Sequence, residues 1–93
     1  MYVVSYDISS DKTRNKVSKK LLDYGKRVQY SVFECDIDTR MYKKMYTELV
    51  KITEDMEDGS IRFYFIDKNC QSKIVTIGNC EKYESMEEDI IFL

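Results

Sequence analysis

The first ten residues, M-Y-V-V-S-Y-D-I-S-S, limit what this chain can become more than any other segment. Residues 2–8 are rich in valine, tyrosine and isoleucine, which predicts a β-strand that ends beside a single acid, Asp7. A basic stretch, D-K-T-R-N-K, then begins a helix. A carboxylate at a strand end, close to lysine and arginine, can hold a divalent cation beside a phosphate. The segment therefore indicates phosphodiester chemistry or nucleic-acid binding.

The length of the chain predicts one small domain over residues 1–93. A chain of this size buries a modest share of its surface, and oligomerisation is a common way to bury more. No apolar run approaches the roughly 20 residues that cross a bilayer. The apolar N-terminal stretch is short and is interrupted by Asp7, so it does not resemble a signal peptide. We therefore expect a cytoplasmic protein.

The absence of histidine excludes several kinds of catalytic site. Ser-His and Cys-His nucleophile pairs are impossible, and the common structural zinc sites are disfavoured. Acid and base chemistry is left to carboxylates, lysine, tyrosine or a metal-bound water. The three cysteines, Cys35, Cys70 and Cys80, form no C-x-x-C pair, and we expect them to be small buried hydrophobic residues.

Charge is distributed unevenly, although the net charge is only −2. Residues 1–33 carry seven Lys and Arg against three acids, and residues 34–93 carry eight against fourteen. The basic part is also the part that holds Asp7. This asymmetry favours a polyanionic partner on one side of the molecule. The alternative is that the lysines form an ordinary solvated helix face.

Periodicity in the sequence predicts two helices and four strands. The first helix spans about 11–24, with Gly25 as a left-handed cap at its end, and the second spans about 39–56. The strands are expected over 2–8, 27–37, 61–66 and 73–77. The candidate N-terminal caps are Ser9, Ser10 or Asp11 for the first helix, and Asp38 or Thr39 for the second.

These elements predict an α+β fold of the ferredoxin-like βαββαβ type, with both helices on one face of an antiparallel sheet. The other face is also rather apolar, since Val3, Tyr64 and Ile66 fall on it. A second copy of the chain about a two-fold axis is the simplest cover for that face. Within a C-terminal extension over 81–93, the tail 90–93 is expected to add a short edge strand, in its own chain or in the partner's.

Asp7 is the leading candidate for chemistry. Magnesium prefers oxygen ligands and commonly takes one or two carboxylates with waters and phosphate oxygens. A two-fold dimer that brings two copies of Asp7 together would supply both carboxylates, so that metal binding and dimerisation become one requirement. The alternative is a structural role, in which Asp7 caps the helix or pairs with Arg14 or Arg27. The candidate phosphate contacts are Arg14, Lys16, Lys20, Lys26 and Arg27.

Several motifs occur in a specific order along the chain. They are Y-D-I at 6–8, then Asp11, Lys12 and Arg14, then Y-G at 24–25 and R-V-Q-Y-S-V-F-E-C at 27–35. Weaker similarity continues over 60–64 and 74–78. The run after Y-G is the most specific of these motifs. Together they resemble the CRISPR-associated Cas2 family over nearly the whole chain.

The resemblance implies a ferredoxin-like homodimer that binds Mg²⁺ or Mn²⁺ and cleaves single-stranded RNA or double-stranded DNA. It also implies a role in acquiring CRISPR spacers together with the Cas1 integrase. The family's metal-binding aspartate falls on Asp7. Its other activity-linked positions fall on Tyr6, a second catalytic residue, and on Arg14, Arg27 and Phe33. Lys16 stands where some members carry arginine. Ser31 is expected to support the site together with Phe33. Two departures are Ser10, where many members have an acid, and Cys70, where many have C-x-x-C.

Two functions follow from these observations. The first is a magnesium-dependent endonuclease centred on Asp7. The second is a non-catalytic DNA-binding scaffold that bridges Cas1 integrase dimers through lysine and arginine contacts. A small-molecule regulatory domain is disfavoured because the chain has only three glycines, and a toxin-like ribonuclease of the same fold stays open.

Overall fold

The computed structural model describes residues 1–79. Its elements are β1 (Tyr2–Asp7), α1 (Asp11–Leu22), β2 (Lys26–Gln29), β3 (Val32–Cys35), α2 (Thr39–Ile52), β4 (Ser60–Phe65) and the short α3 (Lys68–Gln71). The predicted extension over 81–93, with its edge strand at 90–93, lies outside the described residues. No helix within residues 1–79 has the length and apolar character needed to cross a membrane.

The four strands form one antiparallel sheet in the order β2-β3-β1-β4. Strand β1 is central, so that Val4 pairs with Phe33 of β3 on one side and with Phe63 of β4 on the other. Both helices contribute to a single core against one face of this sheet. The predicted α+β fold of the ferredoxin-like type is confirmed.

Two of the predicted strands differ from the structure. Residues 27–37 were expected to form one strand, but they contain the hairpin of β2 and β3, which turns at Tyr30 and Ser31. The turn contains neither glycine nor proline, and Tyr30 continues the aromatic and β-branched pattern of the strands, so that Ser31 alone is a weak turn signal. The segment 73–77 was also expected to be a strand, but it is irregular. Taken in chain order, the predicted strands and helices read βαβαββ. The observed βαββαβ order arises because 27–37 divides into two strands and 73–77 forms none.

Both long helices begin at caps that the sequence predicted. The Ser10 hydroxyl accepts a hydrogen bond from the Thr13 backbone N–H at 3.3 Å, and the Asp38 carboxylate accepts one from Met41 at 2.8 Å. Each cap satisfies a backbone donor that has no partner inside the helix. Both helices end earlier than predicted, at Leu22 and Ile52.

The core lies between the helices and one face of the sheet. Each helix contributes two fully buried side chains four residues apart, which is the spacing of one helix face. The buried cluster consists of Val4, Tyr6, Ile8, Phe33 and Cys35 from the sheet and its loops, with Val17, Leu21, Met45 and Leu49 from the helices. The spacing of these buried side chains is the helical periodicity from which both helices were predicted.

Gly25 follows α1 for a reason other than the predicted one. The described residues with positive φ are Gly59 and Gly78, so Gly25 is not a left-handed cap. A Cβ at Gly25 would lie 2.2 Å from the Glu34 backbone oxygen and 2.6 Å from the Cys35 Sγ. Glycine is required here because the end of α1 approaches β3 too closely for any side chain.

The cysteines differ in environment. Cys35 is fully buried, as predicted, but Cys70 on α3 is exposed, so the expected burial is wrong there, and Cys80 lies outside the described residues. Burial raises the pKa of the Cys35 thiol to about 11. A hydrogen bond with Asp67 raises the pKa of Cys70, although that thiol remains open to solvent.

We expect iodoacetamide at mildly alkaline pH to alkylate Cys70 in the native protein and to leave Cys35 unmodified. The Cys35 thiol is inaccessible and stays protonated, and the thiolate is the reactive form. Peptide mass spectrometry before and after unfolding in urea measures both sites, with Cys70→Ser as the control. Equal labelling rates for the two cysteines in the native protein would contradict this burial.

Candidate functional site

Asp7 is the last residue of β1, and its side chain is exposed. Side chains alternate along a strand, so Asp7 lies on the sheet face opposite the helices, whereas Tyr6 faces the core. We call this opposite side the outer face. Strand β1 and the β3 and β4 residues that pair with it form the outer face. Its residues are Val3, Ser5 and Asp7 of β1, Val32 and Glu34 of β3, and Ser60, Arg62 and Tyr64 of β4.

A shallow cleft of about 310 Å³ opens at Asp7, and a second carboxylate, that of Asp58, lines it. The Ser9 hydroxyl donates a hydrogen bond to Asp58 at 3.4 Å. Gly59 has a φ of 122°, and a Cβ there would lie 2.9 Å from the Asp7 backbone oxygen. The turn before β4 therefore packs directly on the end of β1, which places Asp58 beside Asp7.

The side-chain oxygens that line this cleft belong to carboxylates and hydroxyls, and oxygen atoms of this kind are the metal ligands that Mg²⁺ and Mn²⁺ prefer. Within residues 1–79 no three acidic, cysteine or histidine side chains converge closely enough to enclose a metal. The cleft thus fits a cation that keeps waters or phosphate oxygens in its coordination sphere. It does not fit an ion held by protein ligands alone.

Neither structural alternative for Asp7 appears in the structure. Ser10 caps α1, and none of the ion pairs formed within residues 1–79 includes Asp7. The carboxylate is therefore left exposed at the end of a strand whose backbone is paired on both sides.

Tyr6 precedes Asp7 but lies on the other side of the sheet. Its side chain is 4% exposed, and its ring stacks on Phe33 at a centroid distance of 6.3 Å. The hydroxyl donates to the Tyr30 carbonyl at 3.5 Å, and the backbone N–H donates to the Ser31 carbonyl at 3.0 Å. Tyr6 and Ser31 thus join β1 to the hairpin turn, and the tyrosine hydroxyl is not directed at the Asp7 cleft.

Arg14 is bound to the loop that follows Asp7. Its guanidinium donates to the Ile8 carbonyl at 3.0 Å and to the Ser9 carbonyl at 3.4 Å, and it pairs with the Asp11 carboxylate. The hydrogen bond with Asp11 raises the pKa of Arg14. In this arrangement the arginine holds the backbone next to Asp7, and several of its donors are already in use.

Arg27 is buried between the sheet and α1, with 3% of its surface exposed. The guanidinium donates to the Ser18 hydroxyl and lies 5.2 Å from the centre of the fully buried Phe33 ring. Because the helices cover this side, a phosphate cannot reach Arg27 in this arrangement. Arg27 and Phe33 are placed for packing.

Of the three predicted lysines, Lys16 and Lys20 lie on α1, in the helical layer, and Lys26 begins β2. The Lys20 ammonium pairs with Glu48 at 3.2 Å and with Asp23 at 3.6 Å, and the hydrogen bond with Glu48 raises its pKa. The Tyr24 hydroxyl also donates to Glu48. Lys16 is exposed and forms no ion pair within residues 1–79. The structure therefore does not bring Lys16 or Lys20 onto the outer face with Asp7.

Sequence reasoning missed Asp58 and Arg62. Asp58 belongs to a segment interpreted only as a turn, and Arg62 lies in a strand considered for its aromatic residues. Both reach the neighbourhood of Asp7 because Ser60 pairs with Asp7 and Arg62 with Ser5. Alternation within 60–64 was visible in the sequence, but the register between β4 and β1 was not.

The fold and the site together define a class of protein. It is a ferredoxin-like α+β domain with its two long helices on one face of the sheet and an acidic cleft at the end of its first strand on the other. The family model described as CRISPR associated protein Cas2 matches residues 1–74. The chain therefore belongs to the CRISPR-associated Cas2 family.

Named relatives agree with this assignment. The chain is 37% identical over 87 residues to "CRISPR-associated endoribonuclease Cas2 1" of Chloroflexus aurantiacus, with 94% of each chain covered. It is 31% identical to "CRISPR-associated endonuclease Cas2" of Halalkalibacterium halodurans, with 99% of each covered.

Solved structures show the same fold. Streptococcus pyogenes Cas2 is 35% identical with a TM-score of 0.71, and the match covers 83% of this chain and 98% of that one. A chain of a partial Cas6-RT-Cas1–Cas2 complex is 34% identical with a TM-score of 0.71, over 82% of this chain and 88% of that one. At these identities the similarity extends beyond the fold to the family.

Proposed function

We propose that this chain is a metal-dependent endonuclease that hydrolyses phosphodiester bonds of single-stranded RNA or double-stranded DNA and takes part in CRISPR spacer acquisition. The observation that carries the proposal is Asp7, exposed on the outer face in a cleft that it shares with Asp58. Relatives named endoribonuclease and endonuclease support the reaction class. We expect it to act in the cytoplasm.

Asp7 would hold Mg²⁺ or Mn²⁺, with Asp58 as a second oxygen donor in the cleft. When bound, such an ion activates a water and neutralises charge that develops on the phosphate. The rest of the chain fixes the position of Asp7. Arg14 holds the Ile8 and Ser9 carbonyls from one side, and Tyr6 anchors the strand in the core from the other.

We propose that the working unit is a homodimer in which two copies of Asp7 approach one another across the outer face. An apolar segment near that face supports this assembly, because Val75 and Ile77 are 85% and 99% exposed. Residues 74–79 border an open cavity of about 650 Å³ on the β2–β3 side of the sheet. Burying such side chains against a second copy would stabilise a dimer by the hydrophobic effect.

A scaffold without catalytic activity is the second candidate. It is favoured by the small number of carboxylates that residues 1–79 place near Asp7 and by the related chain solved in a complex with Cas1. In this role the dimer would bridge Cas1 integrase dimers and hold duplex DNA through lysine and arginine contacts with phosphates. Such binding would weaken steeply as salt concentration rises.

We expect the purified protein to cleave labelled single-stranded RNA or duplex DNA with Mg²⁺ or Mn²⁺, and excess chelator to lower the rate by at least about 100-fold. Gel electrophoresis of the products measures the rate. Light scattering in the same buffers tests for a mass about twice the 11.1 kDa of one chain. Equal cleavage with chelator would contradict metal dependence, and binding without cleavage under every condition would favour the scaffold.

A further inference from the structure

Arg62 is the arginine that shares the outer face with Asp7. It lies on β4, where it pairs with Ser5, and the next outer-face residue of that strand, Ser60, pairs with Asp7. Diagonal neighbours on one face of an antiparallel pair are about 7–8 Å apart, within reach of a long side chain. The Arg62 guanidinium is therefore able to reach a group that is bound next to Asp7.

The surroundings of Arg62 leave its charge available. In the single chain the residue is exposed, and it lies on β4, the sheet edge opposite the 74–79 segment of the proposed dimer contact. None of the ion pairs within residues 1–79 involves it. Its guanidinium carbon lies 5.3 Å from the centre of the Tyr64 ring, which is also on the outer face but two residues further from Asp7 along β4. The side chain must therefore rotate toward Ser60 to contact a group bound at Asp7. An arginine that stacks on an aromatic ring keeps its N–H edges free for two parallel hydrogen bonds to a phosphate.

The other candidate cations near the site are placed differently. Arg14 is bound to loop carbonyls, Arg27 is buried, and Lys20 is paired with two acids. Lys26 is at the level of Val3 on β1, because both residues pair with Glu34. Val3 precedes Asp7 by four residues, so Lys26 is displaced from Asp7 by about 13 Å along the strand direction. Arg62 has both the location and the exposed charge that a phosphate contact beside Asp7 requires.

We infer that Arg62 binds the phosphate backbone of a nucleic acid beside Asp7. The inference rests on the proposed nucleic-acid function, and it names a residue of that site that the sequence motifs did not. The contact needs no metal, because the guanidinium itself supplies the charge and the hydrogen-bond donors. Nucleic-acid binding measured in chelator therefore isolates the contribution of Arg62 from that of any ion at Asp7.

The experiment compares Arg62→Gln and Arg62→Lys with the wild type by fluorescence anisotropy. The probes are a single-stranded RNA oligonucleotide and a DNA duplex, each titrated at several salt concentrations with chelator present. We expect Arg62→Gln to weaken binding about tenfold or more and to reduce the salt slope by about one for each bound chain. Arg62→Lys should be intermediate in affinity with an unchanged salt slope, because lysine keeps the charge but not the paired hydrogen bonds. Arg40→Gln is the matched control, since Arg40 is exposed on α2 and forms no ion pair within residues 1–79.

Each outcome separates this inference from the proposed function. A wild-type protein that binds neither probe, either in chelator or with Mg²⁺, would refute the nucleic-acid function itself, and one that binds only with Mg²⁺ would overturn the metal-independent contact of Arg62. A wild type that binds, with an Arg62→Gln variant of unchanged affinity and salt slope, would overturn the role of Arg62 alone. Loss of affinity together with loss of the dimer mass in light scattering would also overturn it, because Arg62 would then act on assembly. An effect on one probe only would support the inference and identify the polymer.

Discussion

Asp7→Asn is expected to lower metal-dependent cleavage by at least about 100-fold while the protein stays folded. Asparagine keeps the size of the side chain but removes the charge that attracts the cation. Because Asp7 is exposed and forms no ion pair within residues 1–79, its replacement leaves the core intact. Initial cleavage rates on labelled RNA and DNA with Mg²⁺ measure the loss, and thermal unfolding followed by circular dichroism verifies the fold.

The matched control for this substitution is Asp36→Asn, at another exposed strand end that does not line the cleft. We expect its cleavage rate to equal that of the wild type. If purified Asp7→Asn cleaves without loss, the metal site at this position is wrong. Intact spacer acquisition by a cleavage-deficient Asp7→Asn would leave the scaffold as the function that matters in the cell.

Phe33→Ala is expected to lower the free energy of unfolding by about 3–5 kcal/mol. The ring is fully buried at the centre of the core, where it contacts Tyr6 and lies beneath the Arg27 guanidinium. Small domains are stable by only about 5–15 kcal/mol, so this loss is a large part of the total. Urea unfolding followed by circular dichroism gives the free energy, and any loss of cleavage should follow the loss of folded protein.

Phe33→Leu separates packing from a direct role in the reaction. Leucine retains much of the apolar volume, so we expect a smaller destabilisation and near-normal cleavage by the folded fraction. A base-stacking role, in contrast, would need the aromatic ring at the surface. A fully folded Phe33→Leu variant without activity would show that the ring does more than fill the core.

Local pattern was sufficient to predict much of this fold. The valine, tyrosine and isoleucine content of residues 2–8 predicted β1, and the periodicity of 11–24 and 39–56 predicted α1 and α2. These signals depend on residues that are close in sequence, and burial enforces them directly. The acidic residue at the end of β1 was identified for the same reason.

The missed features depend on contacts between distant parts of the chain. The turn at Tyr30 and Ser31 has no local break signal, and the burial of Arg27 follows from how that hairpin packs under α1. Asp58 becomes a neighbour of Asp7 only through the pairing of β4 with β1. Gly25 resembled a common helix cap, but the requirement comes from the backbone of Glu34 and Cys35 in β3. Single-sequence periodicity carries no information about such distances.

The opposite orientations of Tyr6 and Asp7 impose a parity rule on the start of the chain. Consider the deletion or insertion of one residue in β1 before Tyr6, with the pairing at the start of the strand unchanged. It would move both side chains to the opposite face, with the Asp7 carboxylate under the helices and the Tyr6 phenol in water. A change of two residues would preserve the faces. The number of residues between the start of β1 and Asp7 therefore tolerates even-numbered changes and not odd ones, so that the length of this strand matters to the reaction as much as its composition.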